Sequence, residues 1–185
     1  MSDHLSYAEL EGQIDFIAAS PKDKSPLDLL VRRPKENHRE VLETGELSTT
    51  EGLVGDMWKI RPSNRTPDKS AHPDMQLNIM NSRVISLIAR SEDRWKLAGD
   101  QMFFDLDLSK ENLPAGTQLK IGEAIIEVTA QPHTGCKKFV ARFGLDAMKF
   151  VNSKIGKRHQ MRGINAKVIH GGAINIGDIV QKIKR

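Results

Sequence analysis

Two stretches constrain the fold of this chain more than any other feature: TQLKIGEAIIEVT at residues 117–129 and INAKVIHGGAINIGDIV at residues 164–180. In each, apolar and polar residues alternate for a few positions and then break at a glycine-bearing pair: Gly122-Glu123, Gly171-Gly172 and Gly177-Asp178. A period of two sends one row of side chains into a core and the other toward water, while glycine supplies the backbone freedom of a tight turn. DQMFFDLDLS, residues 100–109, alternates in the same way, with Met102, Phe104, Leu106 and Leu108 on one side and Asp105 and Asp107 on the other. Short strands at close spacing predict a mainly β fold: an antiparallel β-barrel, closed or partly closed.

Few helices interrupt the pattern. In MQLNIMNSRVISLIARSED (75–93), Leu77 and Ile79 alternate as in a strand, and Asn81 or Ser82 suits the cap of a helix over 82–90 with Val84, Leu87 and Ile88 on one face. Phe139, Val140 and Phe143 share a face of a second helix over 137–143 that ends at Gly144, and a third follows over 145–151. LDLLVRR (27–33) reads as a strand stopped by Pro34, and Val41 and Leu42 form a short apolar pair after the charged turn KENHRE. Residues 45–74 comprise about thirty positions rich in Gly, Pro, Ser and Asn with no sustained period, and long ordered loops of this kind are usually functional. Residues 1–25 are polar apart from a short helix around Tyr7 to Ile17, with SPKDKSP as a hinge. The expected organisation is therefore an N-terminal extension, 1–25, and one barrel domain, 26–185.

The 185 residues make about one domain, and a hydrophobic content of 38% supports a core without disulfides or a structural metal. A lone cysteine forms no internal disulfide, MSDHLSYAELEGQ carries no basic-then-apolar signal pattern, and no apolar run reaches the length of a membrane span. A cytoplasmic, soluble protein without a membrane partner is expected. The net charge of +4 and pI near 9.2 favour anionic ligands, but 28 basic residues are interleaved with 24 acidic ones, unlike a nucleic-acid arm, so no nucleic-acid partner is expected. The motifs G-x-x-x-x-G-K, G-x-S-x-G and G-x-G-x-x-G are missing, which argues against nucleotide-dependent and serine-hydrolase chemistry.

The single cysteine, Cys136, lies in QPHTGCKKFVARFG (131–144). If Thr134 caps the helix, Cys136 sits in its first turn, where unpaired amide N–H groups and a partial positive charge stabilise an anion. Lys137, Lys138 and His133 add to that positive field, and each influence raises the thiolate fraction needed by a nucleophilic, sulfur-carrying or metal-binding cysteine. The competing reading is a small buried hydrophobe, since free cysteine is among the most buried residue types. His133-x-x-Cys136 has no second Cys/His pair to complete a zinc site. Asp56 reads as a residue that satisfies loop amides, and Asp105 and Asp107 as solvated surface.

GLVGD (52–56), NIMNSRVISLIA (78–89), GDQMFFDLDLSKENLPAGTQLKIGEAIIEVT (99–129), PHTGCKKF (132–139) and RGINAKVIHGGAINIGDIV (162–180) together resemble a stand-alone MOSC domain, the family named for the C-terminal domain of molybdenum cofactor sulfurases. The resemblance runs from about Leu27 to the C-terminus. It implies a MOSC-like barrel with a few peripheral helices, whose cysteine lies in a cleft and either ligates molybdenum in a bound molybdopterin cofactor or carries sulfur as a persulfide. Cys136 matches that cysteine, and Lys138 with Phe139 matches the C-x-K-F continuation. Both roles suit a soft thiolate. The expected catalytic residues are Cys136, His133 and Lys138, with Cys136 as the metal ligand. A pterin phosphate needs basic and backbone donors, for which Arg162 and Asn165 in RGINA, Thr134, and Arg61 and Arg65 in the long loop are candidates. Trp58 stands where many relatives carry a histidine, so a contact made by that histidine is not carried over. The sequence contains no aminotransferase-like cysteine desulfurase domain, and pyridoxal phosphate is not expected.

Three functions follow. As an oxidoreductase, the protein binds molybdenum cofactor through Cys136 and reduces N-hydroxylated or similar compounds with electrons from a separate redox partner. As a sulfurtransferase, Cys136 carries a persulfide between a sulfur donor and an acceptor protein. The third is a non-catalytic, anion-binding barrel, indifferent to Cys136.

Overall fold

The structure, a computed structural model, describes residues 4–184. In chain order, the first strands are β1 (Lys24–Arg32), β2 (Glu40–Leu42), β3 (Thr44–Ser48), β4 (Gly52–Leu53), β5 (Leu77–Asn81) and β6 (Met102–Phe104). They are followed by β7 (Gln118–Ile121), β8 (Ala124–Val128), β9 (Ile164–His170), β10 (Gly172–Asn175) and β11 (Ile179–Lys184). Among the described residues seven strands close a barrel in the order β11, β7, β8, β9, β5, β6, β1, with β11 returning to β1 through the pairs Lys24↔Gln181, Ser25↔Val180 and Pro26↔Ile179. β2 extends the sheet from β1, pairing Leu30↔Leu42 and Arg32↔Glu40. All these pairings are antiparallel except β5 with β6, which run parallel from Ile79↔Met102 to Asn81↔Phe104.

Burial follows the alternation of the sequence. Leu27, Leu30, Leu77, Ile79, Met102, Phe104, Leu119, Ile121, Ile126 and Val180 fill the barrel interior. β1, β5 and β6 are apolar on both faces because helices cover their outer side: Leu29, Val31, Met80 and Phe103 pack into a second core. Its helical half comes from α3 (Ser82–Ala89) and α4 (Lys137–Asn152), with α1 (Tyr7–Glu11) and α2 (Ile14–Ala18) adding Leu10 and Ile17. Each fully buried side chain of this size contributes about 1.5–3 kcal/mol. α1 is fastened to α4 by the Tyr7 amide donating to Asp146 Oδ2 at 3.2 Å and by the Tyr7 ring edge-on to Phe150 at 6.2 Å. A short α5 (Lys154–Arg158) completes the helical layer. Among the described residues no helix is long and apolar enough to cross a membrane.

Several local expectations are corrected. β1 starts at Lys24, inside the SPKDKSP segment read as a hinge, because β11 offers it partners there. The stretch read as a long ordered loop without a sustained period contains most of β3 and all of β4; β3 pairs with β10 at Leu47↔Gly172 in a separate three-stranded sheet. β6 stops at Phe104, although Leu106 and Leu108 stay inside the barrel as the alternation requires. The helices expected over 137–143 and 145–151 are found as two helical stretches of α4, divided as expected at Gly144, whose φ of 85° and ψ of 167° are not helical.

Candidate functional site

Cys136 is the N-cap residue of α4, so Thr134 is not the cap and Cys136 is not within the first turn. The cause lies at the far end of the same helix: Asn152 Oδ1 accepts from the Gly135 amide at 2.9 Å and its Nδ2 donates to the Gly135 carbonyl at 3.1 Å, holding the preceding segment out of the helix. The Cys136 carbonyl accepts from the amides of Phe139 and Val140 at 2.9 and 3.1 Å. The residue is exposed, which removes the reading of a buried hydrophobe. Partial burial pushes the thiol's proton affinity up, but the amides of Phe139 and Lys138 and the charges of Arg162 and Arg142 outweigh it, leaving the thiol more acidic than usual.

Behind the cysteine lies a polar cluster built by loops that join barrel strands. Asp100 is fully buried and accepts from Arg162 Nη1 at 2.8 Å. Arg162 also donates to the Ala98 carbonyl at 3.1 Å and lies over the Phe139 ring at 4.9 Å, which ties the cluster to the helix that carries Cys136. Burial raises the proton affinity of Asp100, and Arg162 pulls it back. His133 Nδ1 stands 3.5 Å from Asp100 Oδ1, with the His133 side chain 13% exposed. Burial, reinforced by Arg162 and Arg33, holds His133 well below its ordinary range, so the ring is neutral at pH 7.

A second chain of contacts starts at Arg33. Its guanidinium grips Asp56 with two bonds, at 2.9 and 2.8 Å, and reaches Asn78 Oδ1 at 3.0 Å and the Gly99 carbonyl at 2.8 Å. Asn78 donates to Asn165 Oδ1 at 2.6 Å, and Asn165 donates to the Gln131 carbonyl at 3.0 Å. Asp56 also caps the Trp58 amide, so the residue read as satisfying loop amides does so while anchoring a buried arginine.

Of the residues singled out in the sequence, the structure brings His133 and Arg162 together at Asp100 and links Asn165 to the same wall. Lys138 is drawn away, paired with Glu36 at 2.8 Å in solvent. Arg61 and Arg65 line a pocket of about 270 Å³ with Arg33, Trp58 and Asn78, and Arg65 Nη1 donates to Gln131 Oε1 at 3.2 Å. Thr134 is exposed on the wall of a separate cavity. Asp105 is paired with Arg83, and Asp107 caps the Ser109 amide. Sequence reasoning missed Arg33, Arg39, Asp100 and Arg142. The available signals were a twin arginine closing the apolar strand LDLLVRR and an aspartate that follows a glycine beside a buried strand.

The three missed arginines, Arg33, Arg39 and Arg142, form a crowd of like charge. A side chain at Gly99, whose φ is +90°, would meet Arg142 Nη1 at 3.6 Å and Arg39 Nη2 at 3.8 Å. Burial, then Arg142 and Arg33, loosens the proton on Arg39. Arg39 Nε and Arg162 Nε are buried donors without a hydrogen-bond partner, and His133 Nδ1 and the Asp100 Oδ1 that faces it are unmatched as well. Unmatched donors at such depth are costly and suit an anionic ligand. Among the described residues no group of three or more His, Cys, Asp or Glu side chains could hold a metal ion.

A family model for the MOSC domain matches residues 70–181. Among solved structures, the chain is similar to the YuaD protein from Bacillus subtilis, with TM-score 0.63 and 15% identity over 88% of this chain and 97% of that one. It is similar to YiiM from Escherichia coli, with TM-score 0.57 and 21% identity over 88% and 70%. YiiM from Geobacillus stearothermophilus gives TM-score 0.53 and 13% identity over 90% and 75%. At these identities the likeness is one of fold. No curated protein matches the sequence.

Proposed function

The chain belongs to the MOSC domain family, and from that premise we propose that it binds molybdenum cofactor with the Cys136 thiolate as the protein's ligand to the metal. The reaction is reduction of N-hydroxylated compounds with electrons from a separate redox partner. The observation that carries this reading is an acidified, exposed thiol in the positive field of Arg162 and Arg142. The residues fit the group in two respects. One soft thiolate suits molybdenum as a single protein ligand when an organic ligand such as molybdopterin supplies the remaining donors. Arg39 and Arg142 supply positive charge, and Arg39 Nε a donor without a partner, for an anionic phosphate on that ligand.

When bound, the group supplies a metal able to exchange two electrons with a substrate. The chain's own residues do the rest. Arg162 is fixed by Asp100 and Phe139 and keeps positive charge toward the sulfur. His133, neutral at pH 7, holds one exchangeable proton on its ring. The test is turnover of an N-hydroxylated amidine with a chemically reduced viologen dye, using protein from a host that makes the cofactor. Turnover that disappears in Cys136→Ala supports the reading, and turnover that survives in Cys136→Ala contradicts it.

The exposure of Cys136 favours one alternative, a sulfur carrier that hands a persulfide to an acceptor. Incubation with a sulfur donor then adds roughly 32 Da to Cys136, the mass of one sulfur on the thiol oxidation ladder.

A further inference from the structure

We propose that the cavity of about 360 Å³ beside His133 binds a small ring-bearing carboxylate, with the carboxylate at its mouth and the opposite end of the molecule at His133 and Arg162. Calling this molecule a substrate rests on the reading of Cys136 as the reaction centre; its binding does not. The cavity lies between the Val128–Thr134 segment, the loop before β7, and α5. Segment 131–134 is its wall nearest the cysteine, two residues before Cys136.

Its chemistry is divided. Leu113, Val128 and Val151 are buried and apolar, and no aspartate or glutamate is among the lining residues. Lys110 and Lys157 both border it, and the Lys110 amide donates to the Arg158 carbonyl at 3.1 Å, which brings the two lysines to one rim. The neighbouring Arg158 is neutralised by Glu111 at 2.8 Å, whereas neither Lys110 nor Lys157 has an acidic partner among the described residues. Two unpaired ammonium groups at the mouth of an apolar cavity select an anion with an apolar body.

Size and donor count narrow the class. The volume lies near the lower end of ligand pockets, which run from about 300 to 1,000 Å³, and so admits one or two rings. At the inner end, Arg162 Nη1 and Nη2 are already engaged by Asp100 and Ala98, so the depth of the cavity offers little to a phosphate with three acceptor oxygens. A carboxylate left at the lysine rim needs nothing from that end. A molecule so held spans the cavity and presents its far end beside the neutral His133 ring.

The test is equilibrium binding of 2-naphthoate to the purified full chain, compared with 2-naphthalenemethanol, 2-naphthyl phosphate and the 2-naphthylmethylammonium ion. Saturable binding of the carboxylate is expected, with affinity at least tenfold weaker for the alcohol, for the phosphate and for the ammonium ion. It should fall at least tenfold in Lys110→Met/Lys157→Met, two exposed positions whose exchange leaves the core intact. It should also weaken with added salt. Cys136→Ala retains binding, so a protein without molybdenum still decides the question, and loss of reductase activity alone leaves it standing. Absence of saturable binding at millimolar carboxylate, equal affinity for the alcohol, tighter binding of the phosphate, or an unchanged affinity in the double lysine variant overturns the proposal.

Discussion

At Cys136 two opposing effects act on one sulfur: partial burial favours the neutral thiol, while helix-start amides and two arginines favour the thiolate, and the second set prevails. The rate of alkylation by iodoacetamide should therefore rise with a midpoint below that of an unperturbed thiol measured in the same buffer. Arg142→Gln should move that midpoint upward; a wild-type midpoint at or above that of the unperturbed thiol contradicts the assignment. His133 gives a linkage of known sign. Its folded-state proton affinity is depressed, so below about pH 6.5 the unfolded chain takes up the proton more readily, and stability falls as the solution is acidified through that value. Denaturant unfolding between pH 7 and pH 5 should show a steeper loss in the wild type than in His133→Gln, and equal slopes would refute a buried neutral ring. Asp100→Ala leaves Arg162 charged and unmatched at depth, which costs about 3–5 kcal/mol. At roughly 2–4 °C per kcal/mol, calorimetry should find the melting temperature lower by on the order of 10 °C, and Arg162→Met in the same chain should recover part of it. Cys136 and His133 could be singled out in the sequence from residue type and neighbours, and Arg162 and Asn165 from the family resemblance; the structure places His133, Arg162 and Asn165 along one wall. Arg33, Arg39 and Asp100 could not be singled out, because their significance lies in partners from distant strands, such as Asp56 and Asn78 for Arg33.

The element that matters most is α4, which presents the cysteine at one end and bends at Gly144. The φ of 85° and ψ of 167° there fall in a region that is essentially glycine-only, whereas the space around the residue is open enough for a methyl group, the nearest atom being His4 Cδ2 at 3.5 Å. Gly144→Ala should therefore destabilise by about 1–3 kcal/mol through backbone strain alone, read as a shift of the denaturation midpoint without a change in slope. The glycine itself announced the break, and the spacing of Phe139 and Phe143 announced the buried face. The helix start was misplaced for a physical reason. Asn152, sixteen residues beyond Cys136, takes both polar groups of Gly135 and keeps Thr134 from capping, an arrangement invisible to any local rule.

For the whole molecule, the closed barrel is what places the site, since strand β5 delivers Asn78 and the loops between strands deliver Arg33, Asp100, Gln131 and Arg162 to the same region. The hairpin of β7 and β8 was readable from Gly122-Glu123 because its two strands are sequence neighbours. The pairing of β10 with β3, the parallel contact of β5 with β6 and the closure of β11 on β1 were not, because each joins segments whose own patterns do not name a partner. Leu27 lies in the barrel interior on the strand that closes the ring, and Leu27→Ala should cost about 2–5 kcal/mol in chemical denaturation. The central claim, that the chain holds a molybdenum cofactor through Cys136, is tested most directly by metal analysis with inductively coupled plasma mass spectrometry. Wild type and Cys136→Ala are purified from a host that makes the cofactor. Near-stoichiometric molybdenum in the wild type and its loss from a Cys136→Ala protein of unchanged melting temperature is the predicted result; wild-type protein without molybdenum, or a variant that retains it in full, contradicts the account.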